Sequence, residues 1–543
     1  MIDAVSLAVL KGRLEQIADE MDATLFRSAF NPIIAEARDA SHGLYHAETG
    51  ETLVQGTRGL PIFVGASAFA VAAVIAHCAQ HGAPAPGETY AFNDPYLGGT
   101  HLNDMRLVRP VFRDGQLFCW LASVGHWLDV GGNVAGNFNP AATESLQEGF
   151  RLPIVKLAAT AGINADLLRV MSANTRTAMS NEGDLAAQFN ALDLGEKRLA
   201  ALLEAEGAAR ITAAFAALTD RAAALMAAEI ARLPAGRFAF EDILDDDGVT
   251  DAPIPIRLTI EAREGRLLLD FTGTAGACAG PLNISRATTI AAVYVALKHA
   301  FPDVPANSGV MRAVDVIIPP GSLLDATPPA PVGGYTETIL RLIGVVFGAL
   351  GAARPDAALA APFGTINGLS MAGKRADGTA WVFFNFHGGG LGGTPQGDGL
   401  HHANNPISMA VMPPVEILES RYPIVFTQWA LRDGSGGVGR HRGGVGAVYE
   451  IEALTEARVA LLGERGTRGP FGVAGGGAGA MNRFTWKNEA DWVTPARPSK
   501  VAGVALRAGG RVRLETPGGG GWGAPEERDA DAAAQDRAMG YAS

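Results

Sequence analysis

The sequence predicts a mixed α/β fold of the α+β kind, divided into several domains. Three observations carry this. Helix-period segments open the chain and recur in its middle. A β-hairpin region dense in His and Asp lies near residue 100. The C-terminal half consists of short β-rich runs broken by glycine tracts. A chain of 543 residues has room for roughly two to four domains. The expected organisation is an N-terminal α+β region over 1–184 that carries the hairpin, a helical segment over 185–235, an α/β region over 236–360, a Gly-rich β region over 361–525 and a tail over 526–543.

Residues 5–27 form the first expected helix, with Val5, Val9, Leu14, Ile17, Met21 and Leu25 on one stripe. Residues 66–80 are almost wholly apolar and read as a buried helix. The turn Pro84-Ala85-Pro86-Gly87 leads into a strand at 89–92. Residues 105–112 and 116–124 pair around Arg113-Asp114-Gly115, a hairpin signal. Pro110 marks the first of these strands as an edge or as bulged. A loop centred near Gly115 sets residue 104 opposite residue 126, and facing partners share one side of a sheet. A strict two-residue Asp-Gly loop would instead set 104 opposite 125 and turn His126 away. Residues 185–232 are helical up to Leu233-Pro234-Ala235-Gly236. Strands follow at 254–260, 266–271 and 314–319, and helices at 287–300 and 335–352. From 361 to 523, short strands alternate with glycine tracts. The last twenty residues suit a terminal helix or a frayed tail.

Composition narrows the function. Hydrophobic residues make up 48% of the chain and charged residues 18%, as in a protein with a large core. The net charge of −12, with no Lys/Arg run, argues against a nucleic-acid partner. Three cysteines without CxxC spacing fit a reducing compartment and exclude a disulfide scaffold or a Cys-based zinc site. The start Met1-Ile2-Asp3-Ala4 lacks the basic region of a signal peptide. The apolar runs Ala66–Ala76 and Ile339–Leu350 are shorter than a bilayer span. The expectation is a cytoplasmic protein without a membrane partner.

The chemistry concentrates in Asn93-Asp94-Pro95-Tyr96-Leu97-Gly98-Gly99-Thr100-His101-Leu102-Asn103-Asp104 and in Gly125-His126-Trp127-Leu128-Asp129-Val130-Gly131-Gly132. Imidazole and carboxylate together suit Zn²⁺, Mn²⁺ or Fe²⁺. His101, Asp104 and His126 are the core ligand set. Asp129 and Asp39 are candidates for a further ligand or for a partner that orients an imidazole. Three other strings carry less. Gly368-Leu369-Ser370-Met371-Ala372-Gly373-Lys374-Arg375 matches a phosphate loop except at its last position, but it precedes a strand and reads as a hairpin loop. The tract Gly434–Gly444, with Arg440 and Arg442, offers an anion cradle or tight turns. His401-His402 beside Asp398 offers a second site or a surface loop. No Gly-x-Ser-x-Gly elbow occurs.

The ordered strings resemble the B-type subunit of the hydantoinase/5-oxoprolinase family, which is related to subunits of acetone and acetophenone carboxylases. The resemblance runs almost end to end. Besides the two strings above it is carried by Arg38-Asp39, Gln147-Glu148-Gly149-Phe150-Arg151-Leu152-Pro153, Asn174-Thr175-Arg176, Gly183-Asp184-Leu185, Asp270-Phe271-Thr272-Gly273-Thr274 and Gly280-Pro281-Leu282-Asn283. Further carriers are Pro305-Ala306-Asn307-Ser308-Gly309, Ser435-Gly436-Gly437, Arg442-Gly443-Gly444 and Thr516-Pro517-Gly518-Gly519-Gly520-Gly521. The resemblance implies a metal on His101, Asp104 and His126, with Asp39 as the favoured fourth ligand. It also implies a partner, an A-type subunit of actin-like ATPase fold that binds ATP and Mg²⁺ and phosphorylates the substrate, in an (αβ)₂ heterotetramer. The usual Arg-Asp-Phe-Ser of such chains reads Arg38-Asp39-Ala40-Ser41-His42 here, which makes His42 a rival ligand. The implied function is ATP-dependent opening of a hydantoin, 5-oxoproline or lactam, with Asp129 or Asp94 as proton acceptor. The alternatives are a ketone carboxylase subunit, whose larger relatives are longer than this chain, and a non-catalytic scaffold for the ATPase.

Overall fold

The computed structural model describes residues 2–542 apart from 405 and 409. It is a mixed α/β architecture with four sheets, and the site lies where three of its parts meet. The first sheet contains β1 (Ala40–His46), β2 (Thr52–Gln55), β3 (Thr89–Phe92), β4 (Asp104–Arg113), β5 (Gln116–His126), β6 (Val155–Ala159) and β7 (Gly162–Ile163) in the order β2-β1-β5-β4-β3-β6-β7. Helix α1 (Ala4–Ser28) opens the chain, with Asp3 capping the amides of Val5 and Ser6. It packs with α5 (Ala178–Glu206) on one face of this sheet, over Leu44, Leu107 and Leu121. The other face, with Tyr45, Val108 and Trp120, is covered by α3 (Pro61–His81). Between these helices lie the short α2 (Pro32–Ala35) and α4 (Ala165–Ala173). The segment expected as one helix over 185–232 is two, because Gly207 at φ 81° separates α5 from α6 (Ala208–Ile230).

The second sheet joins β8 (Gly236–Leu244), β9 (Ile254–Arg263), β10 (Arg266–Asp270) and β11 (Val314–Ile317), with α7 (Arg286–Ala300) and α8 (Tyr335–Ala353) against it. The third sheet orders β13 (Ala380–Asn385), β12 (Gly368–Lys374), β16 (Ala457–Leu462) and β18 (Lys500–Leu506). The fourth orders β14 (Ile424–Leu431), β15 (Ala447–Ala453), β19 (Arg511–Glu515) and β17 (Arg483–Lys487). These two pack face to face around Leu369, Phe383, Tyr449 and Leu461.

Several expectations change. The phosphate-loop look-alike is strand β12 itself, paired on both sides. The glycine tracts stack backbone on backbone. A Cβ on Gly390 would fall 1.8 Å from the Gly444 carbonyl, so close approach and not anion binding explains the glycines. Arg442 already meets Asp398 and Asp536. β4 is no edge strand, since β3 and β5 flank it. The apolar runs judged too short for a bilayer belong to longer helices. By length and composition α3, α6 and α8 could each cross one, although α8 is buried inside this fold along most of its length.

Candidate functional site

The hairpin geometry decides the site. Asp114 and Gly115 take positive φ values of 52° and 78° and close a two-residue turn, with Arg113 opposite Gln116. Extended alone, that register would leave Asp104 facing Gly125. A bulge intervenes: Phe112 faces Leu117 but Val111 faces Cys119, so Phe118 is the extra residue. The slip of one residue brings His126 opposite Asp104. On the far side of β5, Ala40 faces Gly125, and the His126 amide donates to the Asp39 carbonyl at 3.1 Å. Asp39, His126 and Asp104 thus form one row across three strands, on the α3 face. His42 lies an odd number of residues from Asp39 and projects from the other face, where its Nδ1 meets Asp22 Oδ1 at 2.7 Å. This removes the rival ligand.

His101 reaches the row from the turn before β4, with its Nε2 3.0 Å from Asp104 Oδ1. Among the described residues, His101, Asp104 and His126 are the one His/Cys/Asp/Glu group close enough to share an ion, with ligand atoms within 4.8 Å of one another. All three are buried. His101 and His126 border a cavity of about 30 Å³ lined also by Asp39, Ile62, Phe63, Phe138, Tyr335 and Phe384. That is room for a single ion or water. The His126 ring lies parallel to Phe384, 5.4 Å between centroids.

Both ring nitrogens of His126 and Oδ1 of Asp39 are buried without a hydrogen-bond partner. A neutral imidazole keeps one lone pair and one N–H, and buried polar atoms of either kind are costly unless something answers them. Burial, reinforced by neighbouring His101, pushes the His126 imidazole down to about 3, so it is neutral with its lone pair free. Burial, and then the charge of Asp104, lift the Asp39 carboxyl well above its ordinary range. Burial also opposes ionisation of Asp104, but His101, His126 and Arg106 outweigh it and hold its carboxyl below the usual range. Two carboxylates, two imidazoles and orphaned lone pairs fit a divalent cation of the Zn²⁺, Mn²⁺ or Fe²⁺ type.

The remaining candidates lie elsewhere. Asp129 is fully committed: its carboxylate accepts from the amides of Gly131, Gly136 and Arg176 and from the Arg176 guanidinium at 2.9–3.1 Å. It pins the loop after β5 and does not line the cavity, so it has no free lone pair for a ligand or base. Asp94 caps the Tyr96 amide at 3.0 Å and faces Arg151, and it too is absent from the cavity wall. His401 accepts from the Val445 amide and His402 meets the Tyr449 hydroxyl, so neither forms a second site with Asp398.

Sequence reasoning missed Tyr335, Thr100 and Arg106. Tyr335 opens α8 and its ring centroid lies 4.8 Å from that of His101. It is placed by Glu148, which accepts from the Val332 and Gly333 amides at 2.9 and 2.6 Å. Thr100 donates to Asp104, and Arg106 donates to the Thr100 hydroxyl at 2.7 Å. Thr100, Asp104 and Arg106 sit close enough in sequence to be legible as a unit. Nothing in the sequence links residue 335 to residue 101.

The chain belongs to the hydantoinase B/oxoprolinase family, whose model matches residues 3–525. It is 31% identical over 550 residues to the caprolactamase subunit beta of Pseudomonas jessenii, covering 97% of this chain and 92% of that one. It is 30% identical to 5-oxoprolinase 1 of Arabidopsis thaliana, where 96% of this chain spans 42% of the relative's length. The crystal structure of the ATP-dependent caprolactamase from Pseudomonas jessenii superposes with a TM-score of 0.89 at 28% identity, over 100% of this chain and 95% of the other.

Proposed function

We propose that this chain is the B-type subunit of an ATP-dependent cyclic-amide hydrolase, opening a hydantoin, 5-oxoproline or lactam that an A-type ATPase partner has phosphorylated. The observation that carries this is the buried His101–Asp104–His126 cluster, with its unanswered lone pairs, in a chain of this family that has no nucleotide motif of its own. The names of the similar caprolactamase and 5-oxoprolinase support the substrate class.

A ring amide is a poor electrophile. Phosphorylation of its oxygen gives an O-phosphoimidate whose carbon is open to water; the tetrahedral adduct breaks the ring C–N bond as the nitrogen takes up a proton, and a second water cleaves the resulting acyl phosphate to carboxylate and phosphate. His101, Asp104 and His126 would hold a divalent cation, with Asp39 completing the set once its proton leaves. When bound, the cation supplies Lewis acidity. His126 keeps its lone pair because burial denies it a proton. Arg106 and Thr100 fix the Asp104 carboxylate. Asp39 borders the cavity, unlike Asp129 and Asp94, and would give up the proton that burial holds on it on joining the cation. Phe138, Phe384 and Ile62 keep bulk water from the donor set.

The test is reconstitution with an A-type partner, followed by ATP-dependent turnover of 5-oxoproline, hydantoin and caprolactam alongside metal analysis. Stoichiometric metal and bicarbonate-independent ring opening are expected. Turnover of a ketone that requires bicarbonate would replace this reading with a carboxylase. Stoichiometric assembly without bound metal would replace it with a scaffold.

A further inference from the structure

We propose that the groove on the outer face of the third sheet binds a small organic phosphate, which, resting on the function proposed above, is the phosphorylated cyclic amide on its way to the metal-donor chamber. The strand register builds this groove. One face of the sheet turns Leu369, Phe383 and Leu461 inward, onto the fourth sheet. On the other face, Ser370 faces Phe384 in one row, and Ala372 lies between Val382 and Arg458 in the next. The first row is covered. Phe138 stacks on Phe384 with 4.5 Å between centroids, and Phe384 lies against His126. The second row is open, under a groove of about 990 Å³ whose side wall includes Val134 and Ala135. That volume is at the upper end for small-molecule sites. The groove and the chamber therefore share one sheet face, with Phe384 at the boundary. Asp129 fixes the wall between them through the Gly136 amide and Arg176.

The charges lining the groove select an anion. The whole chain carries −12, yet Arg176, Lys374, Arg458 and Arg507 line this groove against one acid, Glu456. Two of these cations are already met: Arg176 lies 2.9 Å from Asp129, and Arg507 lies 3.5 Å from Glu489. Among the described residues, Lys374 and Arg458 form no ion pair. Both are exposed and reach the groove. Ala372 faces Arg458, and Lys374 follows Ala372 by two residues. The two free cations are thus diagonal neighbours on one face, with Cα atoms roughly 7–8 Å apart. A dianion answers both at once, which suits a phosphate better than a single carboxylate. Beside them Ala372, Val382 and Ala505 give a flat apolar floor on which a small ring can rest.

The probe is phenyl phosphate, titrated into the full-length chain by calorimetry and phosphorus NMR. Saturable one-to-one binding is expected, weakened by added salt and tighter than that of inorganic phosphate, which has no ring for the floor. Arg458→Ala and Lys374→Ala should each weaken it about tenfold, as loss of a charge-assisted contact implies. Ala505→Trp keeps both charges, fills the groove and should weaken binding as much. His126→Ala should leave binding unchanged, which separates the groove from the chamber. Absence of saturable binding to the wild-type chain would overturn the proposal. So would undiminished binding in the two charge variants or in Ala505→Trp, or binding lost in His126→Ala. In the complex reconstituted with an A-type partner, Arg458→Ala should let the phosphorylated intermediate escape. Rings opened per ATP consumed should then fall about tenfold, with bound metal retained. Unchanged coupling there would also overturn it. A wild-type complex that opens no ring would sink the function proposed above, while the phenyl phosphate titration would still decide for or against the groove.

Discussion

Two buried polar clusters in this molecule solve the same problem in opposite ways. Where β8 and α8 meet the third sheet, Arg341 contacts Glu464 at 3.0 Å and Asp242 at 3.2 Å, Arg465 contacts Asp242 at 3.0 Å, and Lys500 contacts Glu464 at 2.5 Å. The chain itself supplies a cation for each of these carboxylates. The unpartnered guanidinium atoms there, Nε of Arg341 and of Arg465, are donors that repel a cation. Around the chamber, two carboxylates and two imidazoles lie beside a single cationic side chain, Arg106, whose Nε is unpartnered as in the other cluster, but here both ring nitrogens of His126 and Oδ1 of Asp39 are unpartnered as well. Both clusters are deeply buried, so burial of polar groups does not by itself mark a functional site. What sets the chamber apart is a free lone pair: neutral His126 presents one beside the unpartnered Oδ1 of Asp39, whereas the clasp leaves no oxygen of Asp242 or Glu464 unanswered.

The sharpest way to break this contrast is to remove a chamber lone pair. His126→Ala should cost on the order of 10⁴-fold in turnover of the reconstituted complex. Bound metal should be lost while assembly with the partner persists, as metal analysis of the purified complex would show. Unchanged metal content would make the chamber another clasp. In the other cluster, Glu464→Gln takes the near partner from Lys500, leaves Arg341 with Asp242 alone, and should destabilise the fold by about 3–5 kcal/mol in urea unfolding, with metal content unaltered.

His387 extends the comparison to a buried imidazole outside both clusters. Burial holds it down to about 4. The unfolded chain binds that proton near pH 6.5 and the native chain only near pH 4, so stability is present above 6.5 and falls as pH drops through this window. The share of this residue should approach about 3 kcal/mol and should appear as the difference between wild type and His387→Phe in urea unfolding at pH 7 and pH 4.5. The smallest effect should come from Asp129→Asn. It weakens a clamp on the loop after β5 and should cost about 1–3 kcal/mol in stability, with bound metal retained and turnover within tenfold. A loss of turnover matching that of His126→Ala would restore Asp129 as the base.

The candidate ligands were legible because imidazole and carboxylate are rare in apolar strands, and because the Asp114-Gly115 turn announces a hairpin. Asp129 and Asp94 misled for a physical reason. Composition shows that a carboxylate is present near a motif. It does not show whether backbone amides and Arg176 have already taken its lone pairs. The expectation for β4 failed both as an edge and as a bulge, since Pro110 pairs in register with Trp120 and the extra residue, Phe118, belongs to β5.

Taken alone, the amino-acid order determined the mixed α/β class, the family, the hairpin turn and the choice of three candidate donors. Each follows from local periodicity, turn chemistry or an ordered string. Only the tertiary structure decided that Phe118 bulges out and carries His126 round to Asp104, that Asp39 joins them while His42 turns to Asp22, and that Tyr335 arrives from more than two hundred residues away. Those outcomes depend on which strand pairs with which and on what packs against each face, and no local signal in the chain encodes that.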